Sequence, residues 1–173
     1  MGVLGPDPTA ADSAAVHRQL GRAARGADSV AYRCPCGEPA VVATRPRLPD
    51  GTPFPTLYYL TCARATSAIG TLEAAGRMNT MNARLADDPG LAAAHRAAHT
   101  DYLTRRHRLA DVPEIAGVSA GGMPDRVKCL HVLAGHALAV GPGVNPLGDE
   151  VVAELGEWWL VNPCVQREHT EEA

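Results

Sequence analysis

"TLYYLTC", Thr56–Cys62, has the strongest β composition in the chain. Aromatic and β-branched side chains suit a pleated, half-buried strand. The pattern changes at this stretch, with strand-like segments before it and helical periodicity after it. Working back, Pro53 and Pro55 keep their neighbours out of a central strand, because proline lacks the ladder N–H. "PDG", 49–51, reads as a turn. "AVVATRPRL", 40–48, reads as a second strand, and "GADSVAYRC", 26–34, as a first. Turn chemistry in "CPCGEP", 34–39, separates the two. Further back, Thr9–Ala24 fits a short amphipathic helix with Val16 and Leu20 on one face, capped by Asp12 or Ser13.

Working forward, Ala65–Leu85 carries Ile69, Leu72, Ala75 and Met78 at helical spacing, with a kink expected at Gly76. "DDPG" stops it, and Pro89 suits the first turn of a helix reaching about Leu109. The loop "DVPEIAGVSAGGMP" follows, then a helix expected over Asp125–Val140 and a last one over Gly148–Leu160. Three strands followed by helices predict an α+β fold: a small antiparallel three-stranded sheet followed by about four packed helices. Residues 1–8 read as a frayed start, 9–160 as one domain and 161–173 as a mobile polar tail.

The 173 residues are enough for one domain with its own core, and 46% are hydrophobic. A net charge of -3 argues against nucleic acid as a partner, since phosphate backbones call for a basic surface. No apolar run approaches the ~20 residues of a membrane span. The first residues lack the charged end and apolar stretch of a signal peptide, so a cytoplasmic protein is expected.

The chain has five cysteines, at 34, 36, 62, 129 and 164. In a meander, strands one and three run the same way and each ends in a cysteine, which brings Cys34 and Cys62 to one edge. Cys129 falls in the first turns of its helix. Cys129 and His136 stand ~10.5 Å apart along a regular helix, too far to share one ion. A set of Cys34, Cys62 and Cys129, completed by His131 or His136, has the donors of a zinc site or, alternatively, an iron–sulfur centre. The same thiols also suit a reactive site, or plain core packing as small hydrophobes. "CPC" has one residue between its cysteines rather than two, so Cys36 stays outside the expected set, as does Cys164 in the tail.

A second constellation surrounds the loop before the Asp125 helix. Gly121 and Gly122 lead into Arg126 and Lys128, and free N–H groups at a helix start favour an anion. Asp125 as N-cap satisfies those donors without a ligand. His95 and His99 form an i, i+4 pair, and His99, Tyr102 and Arg106 continue one stripe that faces either a ligand or solvent. Asn145 and Asp149 either face the same cleft or make turns. An anionic small molecule is the expected ligand of this region.

The motifs "RCPCGEPAVV", "DGTPFPTLYYLTC", the stripe His99, Tyr102 and Arg106, "GG…DRVKCLH…H" and "NPLGD" resemble the bacterial, mainly actinobacterial, family called domain of unknown function 501. The resemblance covers about Val30 to Val152. It implies that Cys34, Cys62, Cys129, His131 and His136 occupy family positions. Cys36, Ala63 and Leu133 depart from the pattern. The resemblance implies no known activity. Family genes lie beside those for a septum-formation initiator, enolase and an exopolyphosphatase, which implies a division-associated protein as the alternative partner.

Overall fold

The computed structural model describes residues 4–120, 122–161 and 164–165. The chain is α+β, with a three-stranded antiparallel sheet and predominantly helical structure. Helix α1, Ala10–Leu20, precedes the sheet strands β1, Ala27–Arg33, β2, Pro39–Thr44, and β3, Tyr58–Leu60. The sheet order is β1-β2-β3. Register pairs Val30 with Val42 across the first ladder and Val42 with Tyr59 across the second. All six residues of β2 are buried, so both faces of the central strand are covered. A strand buried on both faces loses the alternation of a half-exposed one, which explains the continuous apolar run in "PAVVAT".

Thr9, rather than Asp12 or Ser13, caps α1. Its Oγ1 accepts from Asp12 N at 3.1 Å, while Thr9 N donates to Asp12 Oδ2 at 3.0 Å, a reciprocal capping box. Arg33, at the end of β1, donates from both terminal nitrogens to the Asp12 carboxylate, at 2.7 and 3.1 Å. The Arg33 hydrogen bond holds the Asp12 carboxyl down at about 2 against opposing burial. A carboxyl lowered by folding stabilises the fold above its unfolded value and loses that contribution as pH falls through the folded value. The full shift corresponds to roughly 2 kcal/mol. Arg33 is 44% exposed, so solvent screening brings the expected contribution to about 1 kcal/mol. Unfolding free energy is therefore expected to drop by about that amount between pH 4 and pH 2 in excess of the drop in Asp12→Asn. Parallel pH profiles for the two proteins would disprove the coupling.

The single helix expected over Ala65–Leu85 is two: α2, Ala63–Ala74, and α3, Arg77–Asp87. Gly76 between them has φ 83°, a left-handed conformation that ends a helix instead of kinking it. Helix α4, Pro89–His107, starts at an Asp88 cap whose side chain accepts from Gly90 N and Leu91 N. The helix expected from Asp125 begins only at Leu130. Residues before it pair as a hairpin, β4, Gly122–Met123, with β5, Arg126–Val127, around Pro124 and Asp125. The cause is Asn82 of α3: its Oδ1 accepts from Val127 N at 2.7 Å and its Nδ2 donates to Val127 O at 3.0 Å. Both backbone groups of Val127 are thus held extended and unavailable to a helix.

Helix α5, Leu130–Val140, packs on β3 and on α6, Pro146–Leu155. Gly135 lets α5 approach the sheet, since a Cβ there would stand 2.9 Å from the Tyr58 carbonyl. Gly156 separates α6 from the short α7, Trp158–Val161, which packs against α2. At the start, Pro6 accepts from Val30 N at 3.0 Å, so this part of the expected frayed segment is tied to β1. Cys164 and Val165, expected in a mobile tail, are buried. No helix among the described residues is long and apolar enough to cross a membrane.

Candidate functional site

Cys34 directly follows β1 and opens a tight turn. Gly37 N donates to Cys34 O at 2.8 Å, and Cys34 N donates to Glu38 O at 2.9 Å. Gly37, with φ 94°, supplies the conformation that closes the turn. The turn turns Cys36 back beside Cys34. From the other end of the chain, α7 packs on α2 and leads to Cys164, whose Sγ lies 3.4 Å from Cys34 Sγ. The three sulfurs of Cys34, Cys36 and Cys164 lie within 4.8 Å of one another. Cys62, fully buried at the N-terminus of α2, lies outside this group of three, but its thiol helps to raise Cys164.

Burial is the largest influence on these thiols. It pushes Cys34 up to about 11, with the Cys36 thiol adding to it. It pushes Cys164 up as well, reinforced by the Cys62, Cys36 and Cys34 thiols. For Cys36, hydrogen bonds from the Glu38 backbone and from the Cys34 and Cys164 thiols outweigh burial and lower it. Close buried thiols resist shared ionisation, and a bound cation reverses that order by taking them as thiolates. This set can hold a metal ion.

The expected set of Cys34, Cys62 and Cys129 does not form as one group. The chain divides it: Cys34 joins Cys36 and Cys164, whereas Cys129 joins His131 and Glu73. The start of α5 at Leu130 explains this, because Cys129 becomes its extended N-cap beside α2. His131 Nδ1 lies 3.8 Å from Cys129 Sγ and 3.3 Å from Glu73 Oε1, and His131 Nε2 lies 3.2 Å from Thr66 O. Glu73 Oε1 also accepts from Leu130 N at 2.8 Å. The Cys129 hydrogen bond, with Glu73 and Thr66 assisting against burial, pushes His131 up to about 9.

His136 belongs to neither group. Its Nε2 donates to Asp101 Oδ2 at 2.9 Å and its Nδ1 accepts from Asn145 Nδ2 at 3.3 Å, so both ring nitrogens are engaged. Its ring stacks on Tyr58 with centroids 5.8 Å apart. Burial lowers His136 despite the Asp101 contact. Asn145 caps α6 by accepting from Gly148 N at 3.0 Å. His95, His99, Tyr102, His136 and Asn145 line a cavity of ≈ 20 Å³, room for a group the size of one water.

The expected anion loop is not a helix N-terminus. Arg126 and Lys128 are exposed on or beside the hairpin, Gly122 is in β4, and Gly121 lies outside the described residues. The first N–H of α5 is met by the protein's own Glu73 carboxylate. Tyr102 and Arg106 are buried structural links. Tyr102 OH accepts from Leu57 N, and Arg106 donates to the carbonyls of Pro55, Ile115 and Val118. Cys36 and Cys164, expected outside the cysteine set, belong to it, and Glu73 joins Cys129 and His131 without having been singled out in the sequence. "CPCG", a paired-thiol turn closed by glycine after a strand, was the available signal for Cys36.

A family model described as "Protein of unknown function (DUF501)" matches residues 30–153. No curated protein and no solved structure matches the chain.

Proposed function

The chain belongs to the domain of unknown function 501 family, and we propose that it is a metal-binding protein whose zinc ion is held by Cys34, Cys36, Cys164 and Cys62. The convergence of three thiols, from the first strand and from beyond the last helix, carries this reading. Sulfurs bound to one tetrahedral zinc at ~2.3 Å stand about 3.8 Å apart. The Cys34 and Cys164 sulfurs, 3.4 Å apart, are near that separation before any ion draws them together. Cys62, buried at the start of α2 and acting on the Cys164 thiol, lies outside the group of three and is the thiol that an ion would draw in as the fourth ligand of a closed, structural site. Four thiolates around a divalent ion leave two negative charges, and Arg18 and Arg64 line the hollow beside Cys164. The ion ties the C-terminal segment to the tip of β1 and the start of α2.

Protein purified without chelator is expected to carry zinc in this set. Cys34→Ser and Cys164→Ser each lose about one equivalent, whereas Cys129→Ser keeps the ion bound by the four thiols. Elemental analysis checks this, with labile sulfide measured alongside. No metal in the wild type, or undiminished metal in Cys164→Ser, would overturn the reading. Iron with labile sulfide would assign an iron–sulfur centre to the same thiols.

A further inference from the structure

We propose that Glu73, Cys129 and His131 form a second metal centre, separate from the four-thiol site, with one coordination position open to a cavity. Donors at 2.0–2.3 Å from a tetrahedral zinc are separated by about 3.3–3.7 Å. Glu73 Oε1 and Cys129 Sγ stand 3.3 and 3.8 Å from His131 Nδ1, and the three ligand atoms all lie within 4.8 Å of one another, a spacing that one ion can bridge.

The surroundings of His131 fit a ligand. Its Nε2–H donates to the Thr66 carbonyl, which fixes that proton and makes Nδ1, beside Cys129 and Glu73, the nitrogen that gives up its proton to a cation. Metal-bound histidines are oriented in this way by a backbone carbonyl or carboxylate on the far nitrogen. Glu73 is likewise oriented, since the same oxygen accepts from Leu130 N and retains a lone pair for the ion. The donors come from the end of α2 and the start of α5, two packed helices, so the set is positioned by the core and not by a loop.

The fourth position distinguishes this centre from the first. Cys129 and His131 line a cavity of ≈ 340 Å³ together with Thr56, Tyr58, Thr66 and Val132. Three protein donors and access to a cavity are the arrangement of zinc sites that keep an exchangeable water. A set of one thiolate, one imidazole and one carboxylate suits a borderline divalent ion, zinc above magnesium or calcium.

The test uses the full chain loaded with cobalt(II), which reports coordination in its visible spectrum. Wild type is expected to bind two equivalents. Cys129→Ser, Glu73→Gln and His131→Asn should each bind the second at least tenfold more weakly, while Cys164→Ser loses the first and keeps the second. Azide should shift the bands absent from the Cys129→Ser spectrum and leave the others unchanged. Circular dichroism of the half-buried Glu73→Gln and His131→Asn variants confirms that they are folded. A second equivalent held equally well by Cys129→Ser and Glu73→Gln would overturn the assignment. So would a wild type that binds only the ion lost in Cys164→Ser. Bands insensitive to azide would overturn the open position.

Discussion

Arg106→Met is expected to cost about 3 kcal/mol of folding stability, read by denaturant unfolding. Arg106 is 2% exposed and donates to three main-chain carbonyls, those of Pro55, Ile115 and Val118. Burial of its charge is unfavourable, and it lowers the affinity of the guanidinium for its proton. Methionine relieves that charge and fills much of the volume. It leaves the carbonyls short of donors, at roughly 1–3 kcal/mol for each one left unpaired. Ile115 O keeps a turn bond from Val118 N at 3.0 Å, and Pro55 O keeps a long contact from the Tyr102 hydroxyl at 3.5 Å. The loss is therefore well short of three full penalties. Arg106→Lys should recover only part, since an ammonium cannot reach all three acceptors as a planar fork does. A loss under about 1 kcal/mol for Arg106→Met would show that the clamp does not hold the loop to α4.

Gly148→Ala is expected to destabilise by about 3 kcal/mol. Helix propensity alone predicts the opposite sign, a gain approaching 1 kcal/mol. The contact decides. A Cβ at Gly148 would stand 2.4 Å from the Leu133 carbonyl and 2.9 Å from the Ala137 Cβ, so α5 and α6 would have to separate. The shift would also pull on Asn145, which caps α6 and hydrogen-bonds His136. Gly70→Ala in α2 is the matched control. Its added Cβ meets nothing within 4 Å, so propensity should prevail with a gain of roughly 0.5–1 kcal/mol. Equal effects at the two positions would remove the packing explanation.

The strands were legible because Tyr58, Tyr59 and the buried run in "PAVVAT" carry strong local preference. The hairpin before α5 was not. Two-residue strands have no periodicity, and Val127 is held extended by Asn82, which is 45 residues away. That one interaction moved the start of α5, and with it the role of Cys129. Arg106 and Tyr102 read as part of a stripe facing either a ligand or solvent, and they meet neither, because helical spacing shows which residues share a face, not what the face meets. The cysteine set failed for a related reason. Cys34 and Cys164 are 130 residues apart, and the residues between them carry no local sign of their meeting. Glu73 reaches the start of α5 from the end of α2, a juxtaposition made by helix packing alone.

An anomalous difference map, recorded from crystals just above the zinc absorption edge, would reveal whether zinc sits among the four thiols. A peak is expected inside the set formed by Cys34, Cys36, Cys62 and Cys164, at about 2.3 Å from each sulfur. Density at that place with no anomalous signal, or a disulfide joining Cys34 to Cys164, would contradict it.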